Sequence, residues 1–181
     1  MALRPIRLFP DPVLRVRCRE VTEFDAELSR LVADMVDAMH AAPGVGLPAS
    51  QVGVDRRVAV VDLSVGKDPA QVLVLVNPVI GGREGLEVDV EGCLSIPDFT
   101  EKVPRPLRVE VRAQDASGAA QHFEAEDWLA RAICHEVDHL DGILFVDHLH
   151  GLRRERAKRA LKRLGREQEH REWDATPVSS R

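Results

Sequence analysis

Asp127-Trp128-Leu129-Ala130-Arg131-Ala132-Ile133-Cys134-His135-Glu136-Val137-Asp138-His139-Leu140 contains the pattern His-Glu-x-x-His. Asp127 can cap a helix that begins here, and Gly142 stands where a glycine stop is expected, so the stretch reads as one helix. Four residues make about one helical turn. The imidazoles of His135 and His139 therefore point the same way and can share one metal ion, with Glu136 beside the open coordination position, ready to take a proton from water. With 7 His in 181 residues, a shuffled chain of this composition contains the pattern roughly 2% of the time. The motif alone therefore leaves two solvated histidines as the ordinary alternative, and a third ligand has to be sought.

Working outward, the segment before this helix reads as β structure. Candidate strands lie at Arg57 to Leu63, Val72 to Asn77, Leu86 to Val90, Leu107 to Gln114 and Gln121 to Ala125, separated by turn residues such as Asp115 to Gly118. Further back, Leu28, Leu31, Val32, Met35, Val36 and Met39 recur at the spacing of one helical face, predicting a helix from Asp25 to His40 that Thr22 or Asp25 can cap. Ala41 to Gln51 then reads as a loop rich in Gly and Pro, of the kind that carries a site. Beyond Leu149 a mostly polar third helix is expected to about Glu169. Helix, strands, helix, helix is an α+β order.

A chain of 181 residues suits one domain with its own core. The expected division is a catalytic part at residues 1–150 and a basic C-terminal helix and tail at 151–181, in the same domain or appended to it. The formal net charge of -5 argues against a protein built to grip DNA, although Arg153, Arg154, Arg156, Lys158, Arg159, Lys162, Arg163 and Arg166 crowd the last helix. Met1 to Pro10 contains no long apolar run, and nowhere do about 18 apolar residues follow one another, so a cytoplasmic protein without a membrane partner is expected. Three cysteines cannot all pair, and a reducing compartment keeps them as thiols.

A catalytic metal site takes a third protein ligand and leaves one position open. Cys134 adjoins His135, so on a helix it points about 100° away and reads as a buried thiol. Cys18 lies in a charged stretch. Cys93 sits in Glu91-Gly92-Cys93-Leu94-Ser95, just after a candidate strand, where Gly92 lets the backbone come close. By chemistry alone it is the better of three choices, with a small buried hydrophobe as the alternative.

Three segments, Gly44-Val45-Gly46-Leu47-Pro48-Ala49-Ser50-Gln51, Glu91-Gly92-Cys93-Leu94-Ser95 and His135-Glu136-Val137-Asp138-His139-Leu140, resemble in order and spacing the three signature motifs of bacterial-type peptide deformylases. The similarity continues through Asn77-Pro78 and Val103-Pro104-Arg105 and covers roughly Arg7 to Leu149. The resemblance implies antiparallel sheets around a central helix that carries the His-Glu-x-x-His motif. It further implies that Cys93, His135 and His139 bind one divalent metal ion, iron(II) in the cell, with zinc, nickel or cobalt also accepted. Glu136 is then the general base and later acid. The Gln51 side chain and the Leu94 backbone N–H stabilise the formyl oxygen, and the backbone of Gly46 and Val45 holds the substrate main chain. The implied substrates are nascent formyl-methionyl polypeptides. The basic last helix reads first as a solvated face, with docking on the ribosome, which the resemblance implies, as the functional alternative.

The chain departs from the family pattern at two places. The first motif is usually Gly-x-Gly-Leu-Ala-Ala-x-Gln, whereas here Pro48 and Ala49 follow Leu47, and proline removes a backbone donor. Arg131 stands where an apolar wall of the methionine pocket is expected, so either its stem lines the wall while its head reaches solvent or the preference for methionine is altered. Arg105 reads either as a partner of Glu91 or as a surface residue. His40, His122, His148, His150 and His170 read as ordinary surface histidines. Two further readings compete with the deformylase. A peptidase of the wider His-Glu-x-x-His group is disfavoured by the cysteine context, and a catalytically impaired, ribosome-associated binding protein is favoured only by Pro48 and Ala49.

Overall fold

The computed structural model describes residues 3–175, and their side chains as far as Gln168. The C-terminal residues 176–181 of the expected tail, and the side chain of His170, lie outside that description.

The first long helix, α1 (Ala26–Ala41), starts at Asp25, whose carboxylate accepts from the Glu27 and Leu28 backbone N–H groups, a cap that contributes about 1 kcal/mol. Thr22 is not the cap. The expected loop after it is partly ordered. Gly46–Pro48 forms strand β1, and Ala49–Val52 forms a 3-10 turn ended by Gly53 in the left-handed region. Pro48 is tolerated because β1 is the edge of its sheet, paired only with β2 (Val58–Val61). An edge strand can lose one N–H without leaving a ladder unpaired.

The main sheet is antiparallel throughout, in the order β1, β2, β3 (Leu73–Glu84), β6 (Arg108–Gln114), β7 (Ala120–Glu126). The third strand runs seven residues past the predicted end at Asn77, with bulges in its pairing to β6. Asn77 is one of these irregularities. It takes a φ of +52°, and its side chain satisfies Val21 N, Val21 O and Gln114.

Strand periodicity explains how one sheet serves two helices. Along β2, Val58 and Val60 pack with Leu28, Met35 and Met39 of α1. Val61, one residue out of phase, packs with Ala130, Ile133 and Val137 of α2 (Asp127–Leu140) on the other face. Met35, Met39 and Ile133 are wholly buried, so truncating any one to alanine costs about 2–5 kcal/mol. The cap expected at Asp127 is corrected. The helix begins after Glu126 with no side-chain cap, and Asp127 is its first residue. Its end is as expected, with Gly142 at φ +74°.

A separate two-stranded sheet, β4 (Glu87–Cys93) and β5 (Ile96–Arg105), turns tightly at Leu94 and Ser95. The fifth strand has no counterpart among the predicted strands. The last helix, α3 (Gly151–Ala175), buries Ala157 and Leu164 in a cluster with Leu14, Ile96, Phe145 and Leu149. Its basic residues Arg154, Arg159, Lys162 and Arg166 are exposed. No helix among the described residues is long and apolar enough to cross a membrane.

Candidate metal centre

Helix α2 projects His135 and His139 from one face, ring centroids 5.0 Å apart. Strand β4 ends on Cys93 directly opposite, its Sγ 3.1 Å from His139 Nε2. One ligand atom from each of the three lies within 4.8 Å of the other two. The Nδ1–H of His135 donates to Glu91 Oε2 at 3.1 Å, which fixes the ring and leaves Nε2 for the centre, the usual arrangement of a metal-binding histidine. A soft sulfur and two imidazoles converging without any other bridge suit a transition metal.

Electrostatics agree with that use. Burial opposes ionisation of Cys93, but His139 and His135 outweigh it and hold the thiol well below its usual range. Cys18 and Cys134 differ, since burial pushes each up to about 11. Glu136 is 3% exposed, and burial pushes its pKa up to about 7 against the lowering effect of His135 and His139. Among the described residues its Oε2 is buried without a partner, as is His139 Nδ1. An unsatisfied buried carboxylate oxygen beside three converging donor side chains has room in its bonding for a water or substrate atom.

Gln51 lies on the 3-10 turn, 2% exposed, and donates to Ser95 Oγ at 2.7 Å and to Cys93 Sγ at 3.2 Å. Its amide is thus held against the sulfur by Ser95, which itself donates to Arg7 O. Ser95 was overlooked as a positioning group, although it follows Cys93 by two residues in the quoted motif. Leu94 occupies the β4–β5 turn. Gly46 is required sterically, because a Cβ there would press on Glu136 Oε1 and stand 2.6 Å from its Cδ. Val45 is partly exposed at the rim, and its carbonyl accepts from Asp62 N. A cavity of about 380 Å³ is lined by Val45, Gly46, Gln51, Cys93, Leu94, His135 and Glu136, and extends past Trp128, Arg131 and Phe99.

Sequence expectations for Arg131 and for two histidines are corrected here, and one of the two readings of Arg105 is selected. The Arg131 head does not reach solvent. The residue is 2% exposed and its guanidinium donates to Glu91 Oε1 at 2.8 Å. Of the two readings of Arg105, the partner of Glu91 is the one found. It is buried, grips Glu91 through two nitrogens, and reaches Asp138 at 2.5 Å. Burial opposes the charge on Glu91, but hydrogen bonds from His135 and Arg105 bring its pKa down to about 2. His40 and His148 are also more than surface residues, bonding Asp62 at 2.7 Å and Asp138 at 2.6 Å. Exposed His122 bonds Glu110. The link from Glu91 to His135 has no local signal in the sequence, since the pairing of β4 with β5 is irregular between Glu91 and Cys93.

The sequence profile of the family described as polypeptide deformylase matches residues 3–155. The peptide deformylase of Acidobacterium capsulatum is 45% identical over 92% of this chain and 98% of its own length. That of Caldicellulosiruptor bescii is 52% identical over 81% and 86%. Among solved structures, a peptide deformylase from Legionella pneumophila superposes with a TM-score of 0.85 at 39% identity, covering 97% of this chain and 100% of that one. The peptide deformylase of Thermus thermophilus does so with 0.85 at 42%, covering 92% and 99%.

Proposed function

The chain belongs to the polypeptide deformylase family, a metal-dependent hydrolase that removes the N-formyl group from new polypeptides, and on that premise we propose how its own residues do this work. Cys93, His135 and His139 hold one divalent ion, iron(II) in the cell, with zinc, nickel or cobalt able to take the same nitrogen and sulfur donors. When bound, the ion supplies Lewis acidity and lowers the pKa of water.

Glu136 takes the proton from the attacking water and later delivers it to the leaving amine. Supporting this role are its burial, its unpartnered Oε2 and its position against Gly46. The Gln51 amide and the Leu94 backbone N–H donate to the formyl oxygen as negative charge grows there, and such donors act strongly because they are fixed before reaction. Gln51 is fixed by Ser95. The backbone of Gly46, in edge strand β1, pairs with the substrate main chain as an added strand would, with Val45 beside it at the cavity rim. Phe99, Trp128 and the Arg131 stem, which line the cavity, receive the methionine side chain.

Residues 1–150 carry this chemistry, and the basic residues of the segment 151–181 serve contact with the ribosome in the cytoplasm, where chains emerge with the formyl group. The convergence of Cys93, His135 and His139 beside Glu136 carries the reading. It is tested by comparing formyl-Met-Ala-Ser with its acetyl analogue on metal-loaded protein. A site this confined should cleave the formyl peptide and leave the acetyl peptide essentially uncut, and comparable rates would refute it.

A further inference from the structure

We propose that Arg131 is a positioning residue for the metal centre, clamping the hairpin that carries Cys93 and Glu91 onto the helix that carries His135 and His139. The inference rests on the functional reading above. The ligand set is divided between two elements, and metal bond lengths tolerate only about 0.2 Å of error. Among the described residues the hairpin has no third strand, and a two-stranded sheet alone is marginal in water. Ile96 and Val103 pack on Phe145, Leu149 and α3, and polar side chains of α2 tie the hairpin to the helix that carries the histidines.

Arg131 stands one turn before His135 on the same helical face. From there its NH1 donates to Glu91 Oε1 at 2.8 Å, Val103 O at 3.0 Å and Asp89 O at 3.5 Å, and its NH2 donates to Glu87 O at 3.2 Å. Asp89 and Val103 are a directly opposed pair, so one guanidinium holds both strands at one level, four residues from Cys93. The planar fork suits this, because it offers several donors in fixed directions, which a lysine cannot. Charge also balances. Arg131 and Arg105 face Glu91 and Asp138 within the buried cluster, and a neutral residue at 131 leaves a surplus buried carboxylate. The oxygen of Glu91 left free by Arg131 is the one that orients His135.

A mere wall of the methionine pocket makes a different prediction. Cobalt(II)-loaded wild type, Arg131→Met and Arg131→Lys are challenged with excess chelator, their visible cobalt spectra recorded, and KM and kcat measured on formyl-Met-Ala-Ser. Loss of a partner that orients a ligand typically weakens metal affinity about 10- to 100-fold. Arg131→Met should therefore release cobalt about 10- to 100-fold faster with a shifted spectrum, and Arg131→Lys should fall between. Wild-type retention and spectrum in folded Arg131→Met, with only KM raised, would overturn the proposal. If the methionine variant does not fold, wild-type retention in Arg131→Lys overturns it instead. Absence of formate release by cobalt-loaded wild type would count against the deformylase reading and leave the retention comparison standing.

Discussion

Gly46→Ala is a steric probe of the Glu136 carboxylate. Gly46 is not among the glycines with positive φ, so alanine meets no backbone strain, and the whole effect is the added methyl. That carbon would stand 2.6 Å from Glu136 Cδ and 2.9 Å from Cγ, whereas non-bonded carbons settle near about 3.5–4 Å. The carboxylate must retreat by about 1 Å. Glu136 is nearly buried in a packed helix face, so it cannot swing into solvent and return at no cost. A displacement of that size in a reacting group costs on the order of 10²-fold in rate, which corresponds to about 2.7 kcal/mol of barrier. The three atoms nearest the new methyl all belong to Glu136. Steady-state formate release at equal metal content should therefore fall about a hundredfold while chelator resistance is unchanged. A kcat within about threefold of wild type would refute the placement of Glu136 against β1. Loss of metal would show that the methyl acts on the ligands instead.

Three further outcomes follow from particular contacts. Cys93→Ala should lose metal on purification, whereas Cys18→Ala and Cys134→Ala, whose thiols burial holds near 11, should keep it, as metal analysis will show. Truncation after Gly151 removes Ala157 and Leu164 from the cluster around Phe145 and should lower Tm, yet a folded truncation should still turn over a short peptide and lose any salt-sensitive ribosome binding. Burial would raise the Asp62 pKa, but hydrogen bonds from Ser64, Gly66 and His40 bring it to about 2. The stability it adds is full above about pH 4 and lost as pH falls toward 2. Asp62→Asn should thus be less stable than wild type in urea at neutral pH and lose less on acidification.

How much the sequence shows follows from how local each signal is. His135 and His139 are legible because helical spacing alone aligns them, and α1 because six apolar residues mark one face. Cys93 needed its neighbours Glu91, Gly92 and Leu94 to stand apart from Cys18 and Cys134. Strand β5 stayed hidden because Pro97 and Pro104 interrupt it and Asp98 takes a φ of +60°, so no clean alternation survives. Its pairing is imposed by β4. The fate of Arg131 was illegible for a different reason. Helical position places it on the ligand face, but its partners Glu87, Asp89 and Glu91 lie about 40 residues away, and only the folded hairpin brings a carboxylate and three carbonyls within its reach. Arg105 with Asp138, and His40 with Asp62, are nonlocal in the same way.

Formate release from formyl-Met-Ala-Ser by iron-loaded protein purified without oxygen, for wild type and Glu136→Gln at equal metal content, bears most directly on the assignment. The amide preserves the shape of the side chain but cannot accept a proton. The wild type should release formate readily and the variant several orders of magnitude more slowly, with metal retained in both. No release by the loaded wild type would contradict the activity, and equal release by both proteins would remove Glu136 from the chemistry.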